Sequence, residues 1–367
     1  MIRLLFLGDP RYDRRIQNFA RFFRDNGWRV DIVAGVGQDV VLPSGYKAIP
    51  IKYHSGPRRF LSYHHKLLTE LRRVPKPDIL FACDLYSLRA AAVVKKTAPQ
   101  TKVWYDAREI YTQLPTVIHK PLARWFWKWF ERGGLKETDI VITTGPKDAN
   151  AILTVHSFLP HSIVVKNMPH RGIGNSGSLD LRKHFGLSTE KKLLVYVGGL
   201  QQGRGLEKAI TAMMEFRNTA VLILIGDGAL RNTLHERVKS SNLQDSVYFY
   251  GQASVDNVLP LLSSADVGVS LIERISGSYD LALPSKLFEY LHAGLPVVCS
   301  DLEQVKDCFG TKEYIVYVDE NNQEEIVDAF KKELTISENS KLRRQIVVTA
   351  SEEFVFEKDA EKLLTLL

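Results

Sequence analysis

Short apolar runs rich in β-branched residues alternate with amphipathic stretches from one end of the chain to the other. This alternation is typical of parallel strands that are covered by helices on both faces. It predicts two successive doubly wound α/β domains, each built on a parallel sheet. The predicted strands are Ile2–Leu7, Arg29–Ala34, Ile79–Cys83, Lys102–Tyr105, Asp139–Thr143 and Ser162–Lys166 in the first half, and Leu193–Val197, Ala220–Ile225, Val247–Tyr250, Asp266–Leu271, Val297–Cys299 and Tyr314–Val318 in the second.

A segment rich in Gly and Ser, HRGIGNSGS at residues 170–178, separates the two series of strands. Its composition predicts a linker between an N-terminal domain at 1–169 and a C-terminal domain at 179–345. Helical spacing continues over residues 346–367. We expect these last helices to pack on one of the two domains, and packing back on the N-terminal domain is one of the options.

Composition narrows the class of protein. The chain has 367 residues and is 45% hydrophobic, which is enough to bury the cores of two domains. Its three cysteines are an odd number and lie in or near apolar runs without metal-ligand spacing, so we expect a reducing compartment and no structural metal. No apolar run reaches the roughly 18 residues that span a bilayer. We therefore expect a cytoplasmic protein that is neither secreted nor integral to a membrane.

Charge is distributed unevenly between the halves. Residues 1–170 carry 27 Lys and Arg against 14 Asp and Glu, whereas residues 171–367 carry 22 against 28. A basic half suits a phosphorylated acceptor, an anionic membrane surface or nucleic acid, and charge alone does not choose among them. An acidic half does not suit a protein that tracks a nucleic-acid backbone, and we predict no nucleic-acid partner.

A glycine-rich turn opens the second half. The strand at Leu193–Val197 runs into GGLQQGRGLEKAI, in which glycines surround Arg204 just before a helix. Glycines let a backbone approach a phosphate closely, and Arg204 together with the helix N-terminus supplies positive potential. By itself the pattern also fits an ordinary strand-to-helix turn with a solvated arginine.

A second candidate anion site lies in PSKLFEYLHAGLPVV, where a helix is predicted to begin with Ser285 as its N-cap. The N–H groups of Ser285, Lys286 and Leu287 would then face an anion, and Lys286 adds a formal charge. Glu289 lies one turn deeper on the same face, where a carboxylate can accept hydrogen bonds from a ribose diol. The alternative is a solvated helix carboxylate, but the apolar neighbours of Glu289 predict burial.

These stretches carry a family resemblance. The match covers nearly the whole second half and resembles the nucleotide-binding domain of glycosyltransferase family 4, retaining enzymes of the GT-B fold. The resemblance implies two Rossmann-like domains that face each other across a cleft, the first for an acceptor and the second for a nucleotide sugar. The motifs are YVGG and GRGLE within residues 196–207, LIGDG at 224–228, YFYGQ at 248–252, SADVGVSLI at 264–272 and PSKLFEYLHAGLPVV at 284–298.

The resemblance also implies roles for individual residues. Arg204 and Lys286 hold the donor diphosphate, with help from the backbone at Ser285 and Leu287. Glu289 holds the ribose. The backbone around Gly251 contacts the base.

The sequence departs from the family pattern in two places near this site. Gly199 stands where many members have an arginine. Leu281, with Asp280 beside it, stands where many members have a glutamate near the transferred sugar. The contact that selects the sugar is therefore open, and Asp280 is included among the donor-site candidates. A subset of the family with a P-x-K-x-x-E-Y stretch is most similar to this chain.

Polar residues follow predicted strands of the first half, in the stretches GDPRYD, FACDLY and YDAREIY. Open α/β sheets bind ligands beyond the carboxyl ends of their strands. We predict that Asp84 and Glu109 hold or deprotonate an acceptor hydroxyl, and that the remaining candidates bind the acceptor. Each of them fits a helix cap or a structural ion pair equally well. The remaining candidates are Asp9, Arg11, Asp13 and Arg108, the last of which replaces a histidine that is usual in the family.

Two basic segments with interleaved aromatic residues, 56–73 and 119–134, are candidates for contact with an anionic membrane. A core stripe with a solvated basic face fits the second segment equally well, and Trp127 on the basic side is the residue that favours the membrane. Helical spacing in the second segment sets Leu122, Trp125, Phe126 and Trp129 or Phe130 against Arg124, Trp127 and Lys128.

We therefore expect a glycosyltransferase that moves a sugar from a UDP- or GDP-sugar to a glycan or lipid-linked acceptor, with retention and without a metal or other cofactor. Surface polysaccharide or glycolipid synthesis is the expected setting, on the inner face of a membrane. The alternatives are a catalytically silent GT-B scaffold, which Leu281 and Arg108 keep open, and a nucleotide-sugar epimerase, which the basic first half disfavours.

Overall fold

The computed structural model describes residues 1–52, 56–172 and 179–367, so residues 173–178 of the predicted linker lie outside the described residues. The chain forms two compact units, Met1–Asn167 with Glu357–Leu367, and Met168–Phe356. The chain end therefore belongs to the first unit. The predicted boundary after residue 345 falls within the helix Ser340–Glu353, which belongs to the second unit.

The first unit contains seven parallel strands, and its sheet has the order β3-β2-β1-β4-β5-β6-β7. The second unit contains six parallel strands in the order β10-β9-β8-β11-β12-β13. The first six strands of both sheets thus follow one winding pattern, that of doubly wound nucleotide-binding folds. The strands are β1 (Ile2–Phe6), β2 (Val30–Gly37), β3 (Tyr46–Ile51), β4 (Ile79–Ala82), β5 (Lys102–Ala107), β6 (Ile140–Thr143), β7 (His161–Val164), β8 (Lys192–Val197), β9 (Ala220–Ile225), β10 (Val247–Gly251), β11 (Val267–Ser270), β12 (Val297–Ser300) and β13 (Ile315–Val318).

Helices connect the strands and cover both faces of each sheet. Short 3-10 helices occur at Pro10–Tyr12, Tyr111–Gln113 and Met213–Phe216. The α-helices are α1 (Arg14–Asp25), α2 (Gly56–Arg73), α3 (Leu85–Thr97), α4 (Pro121–Leu135), α5 (Pro146–His156), α6 (Leu181–Phe185), α7 (Leu206–Ala212), α8 (Arg231–Ser240), α9 (Val255–Leu262), α10 (Gly277–Asp280), α11 (Ser285–His292), α12 (Glu303–Phe309), α13 (Gln323–Ile336), α14 (Ser340–Glu353) and α15 (Phe356–Leu364).

The predicted strands are all present, and their ends agree with the structure to within three residues. They form because β-branched runs such as AVLILI at Ala220–Ile225 are buried on both faces of a parallel sheet. The sequence analysis missed β3, which contains Pro50 and buries only Ile49 and Ile51 of its six residues. It lies at the edge of the first sheet, where a proline is tolerated because the N–H that proline lacks is not needed on the side of the strand that has no neighbouring strand.

The prediction for Trp127 is wrong. Its ring is half-buried and lies 5.5 Å from that of Tyr86 and 6.3 Å from that of Tyr111. Helix α4 turns Trp127 inward because Gly134, where a Cβ would overlap Leu88, allows close approach to α3. The exposed apolar residues of α4 come instead from the predicted core stripe, and they are Leu122, Trp125 and Trp129.

A buried carboxyl group lies in the core of the second unit. Glu333 on α13 is fully buried, and neither of its oxygens accepts a hydrogen bond from the residues that the structure describes. Burial raises the pKa of Glu333 from 4.5 to about 7. Because the folded state holds its proton to higher pH than the unfolded state does, this group costs stability progressively as pH rises from 4.5 to 7.

Replacing Glu333 with Gln should therefore stabilise the second unit at pH 8 by about 3 kcal/mol and have little effect near pH 4.5. Hydrogen exchange of the β8 and β11 amides in urea would measure the free energy of unfolding at both values. Glu324→Gln, an exposed change in the same helix, is the control. A gain for Glu333→Gln that is the same at both pH values would show that the carboxyl does not titrate as described.

Candidate functional site

The second sheet reverses its winding between β8 and β11. From β8 the chain continues to β9 and β10 on one side, and from β11 it continues to β12 and β13 on the other. At such a point the loops diverge and leave a crevice beyond the carboxyl ends of the strands. The loops concerned are residues 198–205, after β8, and residues 271–284, after β11.

Two glycines shape the loop after β8. Gly205 begins α7 with φ of +63°, and a Cβ there would overlap the carbonyl oxygen of Leu271. Gly203 has φ of +78°, and a Cβ there would lie 2.7 Å from the ring of Tyr279. Arg204 stands between these glycines. The absence of two Cβ atoms thus lets the backbone that carries Arg204 lie directly against the loop after β11.

Arg204 and Lys286 each lie over a tyrosine ring. The guanidinium carbon of Arg204 is 4.7 Å from the centre of the Tyr279 ring, and Nζ of Lys286 is 3.5 Å from that of Tyr196. A Cβ on Gly198 would lie 3.1 Å from the same Nζ, so the ammonium lies at the end of β8. Cation–π contacts of this kind stabilise a cation that has lost hydration, and they fix its position.

The two cations are close enough to influence each other. Burial lowers the pKa of Lys286 well below its usual value, the charge of Arg204 lowers it further, and Glu289 partly opposes both. Within the described part of the chain, no carboxylate forms an ion pair with Arg204 or Lys286. Two adjacent cations without a carboxylate partner form a site for an anion with more than one charge.

Helix α11 supplies the rest of this site. Its N-cap is Pro284, and Ser285 is its first helical residue, so the prediction that Ser285 caps the helix is wrong by one position. The N–H of Leu287 donates to the carbonyl of Pro284 at 3.2 Å. The first two N–H groups of a helix have no intrahelical acceptor, so those of Ser285 and Lys286 remain for a ligand. Glu289 is buried, as its apolar neighbours predict.

The other donor-site candidates lie at the edges of the same loops. Gly199 is exposed, and its carbonyl accepts a hydrogen bond of 2.8 Å from the Tyr196 hydroxyl. Gly251 ends β10 with φ of +89° and has open space where a Cβ would be. Asp280 ends α10 and is exposed; partial desolvation raises its pKa against the opposing effect of Arg274.

The sequence analysis missed the two tyrosines. Tyr196 and Tyr279 support the cations, and Tyr290 joins the strands at the switch point by accepting from the N–H of Val197 and donating to the carbonyl of Val269. The available signal was the position of Tyr196 two residues before the paired glycines Gly198 and Gly199. It was missed because a buried tyrosine in a strand is usually a core residue.

The first sheet reverses its winding between β1 and β4, and Asp84 lies there. It is buried; its Oδ2 accepts from the N–H of Leu7 at 2.6 Å and its Oδ1 from the N–H of Ser87 at 2.8 Å. Burial raises the pKa of Asp84, although these hydrogen bonds and Arg108 oppose the change. Asp84 thus caps α3 and joins it to the loop after β1.

The other acceptor candidates form a network around the same edge. Nη1 of Arg108 donates to Asp13 at 2.5 Å, and its Nε donates to Asp106 at 2.8 Å. Asp106 also receives two N–H groups of Arg15, a pair that is almost wholly buried. Although burial by itself lowers it, the pKa of Arg108 is raised well above its usual value by Asp13 and Asp106.

Asp9 and Glu109 differ in their surroundings. Asp9 caps the 3-10 helix Pro10–Tyr12 and forms a bidentate pair with Arg11, with the shortest N–O distance at 2.6 Å. Burial works against this, but the hydrogen bonds from Arg11 keep the pKa of Asp9 below its usual value. Glu109 is exposed and acts electrostatically on Tyr86, whose pKa burial, Asp84 and Glu109 raise to about 12.

The described ranges, 1–52, 56–172 and 179–367, contain no group of three or more His, Cys, Asp or Glu residues arranged to hold a metal ion. None of their helices combines the length and the apolar character that crossing a bilayer requires.

Comparison with known proteins identifies the class. Residues 178–352 match the family model of glycosyl transferases group 1, and residues 13–166 match that of glycosyltransferase family 4. Together the two models cover most of both units. The chain belongs to the glycosyltransferases of the family 4 type. The predicted family is thus confirmed, whereas the P-x-K-x-x-E-Y subset and the retaining mechanism remain predictions.

Relatives of this glycosyltransferase include proteins of cell-surface polysaccharide synthesis. A Bacillus subtilis protein described as a teichuronic acid biosynthesis glycosyltransferase is 24% identical over 84% of this chain and 74% of its own. The N-acetyl-alpha-D-glucosaminyl L-malate synthase of Bacillus anthracis is 25% identical over 46% of this chain and 42% of its own.

Solved structures share the fold of this glycosyltransferase. Sucrose-phosphate synthase from Thermosynechococcus elongatus superimposes with a TM-score of 0.77 at 16% identity, over 99% of this chain and 98% of that chain. Anabaena HepE, solved with UDP and glucose, gives 0.76 at 14% identity over 100% and 99%. The predicted fold class, two Rossmann-like parallel-sheet domains of the GT-B type, is confirmed.

Substituting Gly205 should reveal the close approach of the two loops. Gly205→Ala adds a Cβ against Leu271 as well as strain at positive φ, whereas Gly186→Ala has the same φ of +63° with open space around it. The control should cost about 1 kcal/mol of stability, and Gly205→Ala about 1–3 kcal/mol more. Urea unfolding measures the costs, and calorimetry with inorganic pyrophosphate should show weaker binding only for Gly205→Ala. Equal effects of the two changes would contradict the described packing.

Proposed function

We propose that the enzyme transfers a sugar from a nucleoside diphosphate sugar bound in the second unit to a hydroxyl group of an acceptor bound by the first. This proposal rests on the pair of cations at the switch point, Arg204 and Lys286, which are close enough to interact electrostatically and form no ion pair with a carboxylate among the described residues. A diphosphate has the charge and size to neutralise both. HepE, which has the same fold, binds UDP and UDP-glucose.

The cations would also perform the chemistry. Sugar transfer breaks the bond between the anomeric carbon and the β-phosphate oxygen, and negative charge builds on that oxygen as the bond breaks. Arg204, Lys286 and the first N–H groups of α11 are held in place before the reaction, so they stabilise this charge without reorganising. We infer that the residues of the chain take the role that a metal ion has in other transferases.

Glu289 is the proposed ligand of the ribose. It lies one turn into α11, on the side of Lys286. Because the Glu289 carboxylate is buried, a hydrogen bond that it accepts from a ribose hydroxyl would be strong. The pattern Pro284-x-Lys286-x-x-Glu289-Tyr290 would thus place the phosphate and ribose contacts on one helix, while Tyr290 secures the strands beneath. We expect retention of configuration, by analogy with family 4.

The acceptor would react at the carboxyl edge of the first sheet. Asp84 is bound on both oxygens by backbone N–H groups, so we assign it to positioning the loop after β1. Glu109, exposed at the end of β5, is the better candidate to hold or deprotonate the acceptor hydroxyl. A surface glycan or its lipid-linked precursor is the proposed acceptor class, since relatives include a teichuronic acid glycosyltransferase.

Calorimetric titration with UDP, GDP and ADP tests the donor site. We expect one nucleotide to bind in the micromolar range, roughly −8 kcal/mol. Because hydrogen bonds to charged groups contribute about 1.5–3 kcal/mol each, Arg204→Ala and Glu289→Ala should each weaken binding about 10- to 150-fold. Lys239→Ala and Glu236→Ala, exposed changes on α8, should have no effect. Failure of all three nucleotides to bind would favour the catalytically silent scaffold.

Nucleotide binding should also depend on pH through Lys286. Because its pKa lies well below the usual 10.5, affinity should be full where the lysine is protonated and should fall as pH rises through the lowered value. Calorimetry at a series of pH values up to the usual lysine pKa of 10.5 would detect the fall, which Lys286→Met should abolish along with most of the affinity. A pH dependence that is the same in wild type and in Lys286→Met would contradict a contact between Lys286 and the diphosphate.

A further inference from the structure

Helix α4 of the first unit carries an exposed apolar stripe. Its members are spaced three and four residues apart, so they lie on one side of the helix. A contiguous exposed patch of large apolar side chains marks an interaction site, whereas single exposed apolar residues are common. The stripe consists of Leu122, Trp125 and Trp129, which are 84%, 66% and 51% exposed.

Basic side chains flank this stripe. Arg124 and Lys128 are exposed, lie one turn apart on α4 and form no ion pair with any residue in the described ranges. Lys120, immediately before the helix, is also exposed. The only acidic residue of α4, Glu131, is buried, and its carboxylate binds the Tyr105 hydroxyl and the His156 ring at 2.8 Å each. The exposed face of the helix is therefore apolar and purely basic.

The opposite side anchors the helix firmly. Phe126, Trp127 and Phe130 form a cluster of ring contacts with Phe60 of α2, with centroids 4.9–6.3 Å apart. Trp125 and Trp129 thus extend from a helix whose opposite side is packed in the core. Because the helix is already held in place, binding a partner through these residues costs little entropy.

We propose that this face of α4 docks the enzyme on an anionic lipid bilayer. Leu122, Trp125 and Trp129 insert between the headgroups, and Lys120, Arg124 and Lys128 contact lipid phosphates. Tryptophan is favoured at the level of the headgroups because its ring is apolar while its N–H can bond to water or lipid. An amphipathic helix with a basic flank binds such a surface both by burying apolar area and by electrostatic attraction to anionic lipids.

Charge favours a bilayer over a second copy of the chain. A dimer that brought two such faces together would place six basic groups against each other without carboxylates to balance them. An anionic bilayer supplies negative charge over the whole face. The stripe alone would also fit an apolar protein surface, but the flanking cations distinguish the two occupants.

The location of α4 suits a lipid-linked acceptor. The ring of Trp127 contacts those of Tyr86 and Tyr111. These tyrosines lie two residues after Asp84 and Glu109, respectively. The docking face and the candidate acceptor residues therefore belong to one connected part of the first unit. This step rests on the proposed function, whereas binding to the bilayer itself does not.

Co-sedimentation of the full chain with vesicles of phosphatidylcholine, with and without phosphatidylglycerol, tests the proposal. Wild type should bind the anionic vesicles and bind neutral ones far more weakly. Arg124→Gln/Lys128→Gln should lower the affinity about 20- to 30-fold, at roughly a fivefold loss per base. Trp125→Ser/Trp129→Ser, which keeps the charges, should lower it at least about tenfold. The matched controls lie on α14 of the second unit: Lys341→Gln/Arg344→Gln for charge and Val348→Ser for exposed apolar area.

The same preparations are titrated with the nucleotide that wild type binds, so that loss of the fold or of the donor site is seen separately. Unchanged nucleotide affinity with lost vesicle binding supports the proposal. Vesicle binding that survives the tryptophan changes, or does not differ between neutral and anionic vesicles, overturns it. So does sedimentation velocity that shows a wild-type dimer abolished by the tryptophan changes, because the face would then be an interface between copies.

Discussion

The rest of the second unit depends on two positive charges held close together, neither of which forms an ion pair with a carboxylate in the described part of the chain. Like charges at the same site repel, and burial removes the water that would screen them. The protein tolerates the arrangement because the rings of Tyr196 and Tyr279 form cation–π contacts with Lys286 and Arg204. Glycines also let the two loops pack directly against each other. An anionic ligand at this place would relieve the repulsion between the two cations. The same preorganisation would lower the barrier to departure of a nucleoside diphosphate.

The first unit uses the same winding of its sheet for a different electrostatic purpose. Its carboxyl edge is rich in charged groups, but most of them neutralise one another: Arg15 and Arg108 share Asp106, and Arg11 pairs with Asp9. Such a network gives shape and rigidity to an edge without creating strong affinity for an anion. Arg108 donates to both Asp13 and Asp106, which fits a structural role at this edge. In the proposed function, recognition of the acceptor would then fall to the exposed groups around it.

Much of the fold could be predicted from the sequence because the strands of a parallel sheet are buried on both faces and appear as continuous apolar runs. β3 escaped because an edge strand does not need such a run. The sequence left the orientation of α4 open and misplaced Trp127, because periodicity reports two sides of a helix but not which one meets the core. Gly134 and its approach to Leu88 decide that. In the donor site, Arg204, Lys286 and Glu289 were visible as charged residues among glycines and apolar residues. The tyrosines beneath them depend on a contact between distant segments, which spacing along one chain does not reveal.

Arg204 and Lys286 are proposed to bind the diphosphate of the donor at the switch point of the second sheet. A crystal structure of the enzyme with the nucleoside diphosphate that it binds would show this binding. We expect phosphate oxygens within hydrogen-bonding distance of both cations and of the first N–H groups of α11, with a ribose hydroxyl against Glu289. A nucleotide bound elsewhere, or phosphates turned away from Lys286, would contradict it.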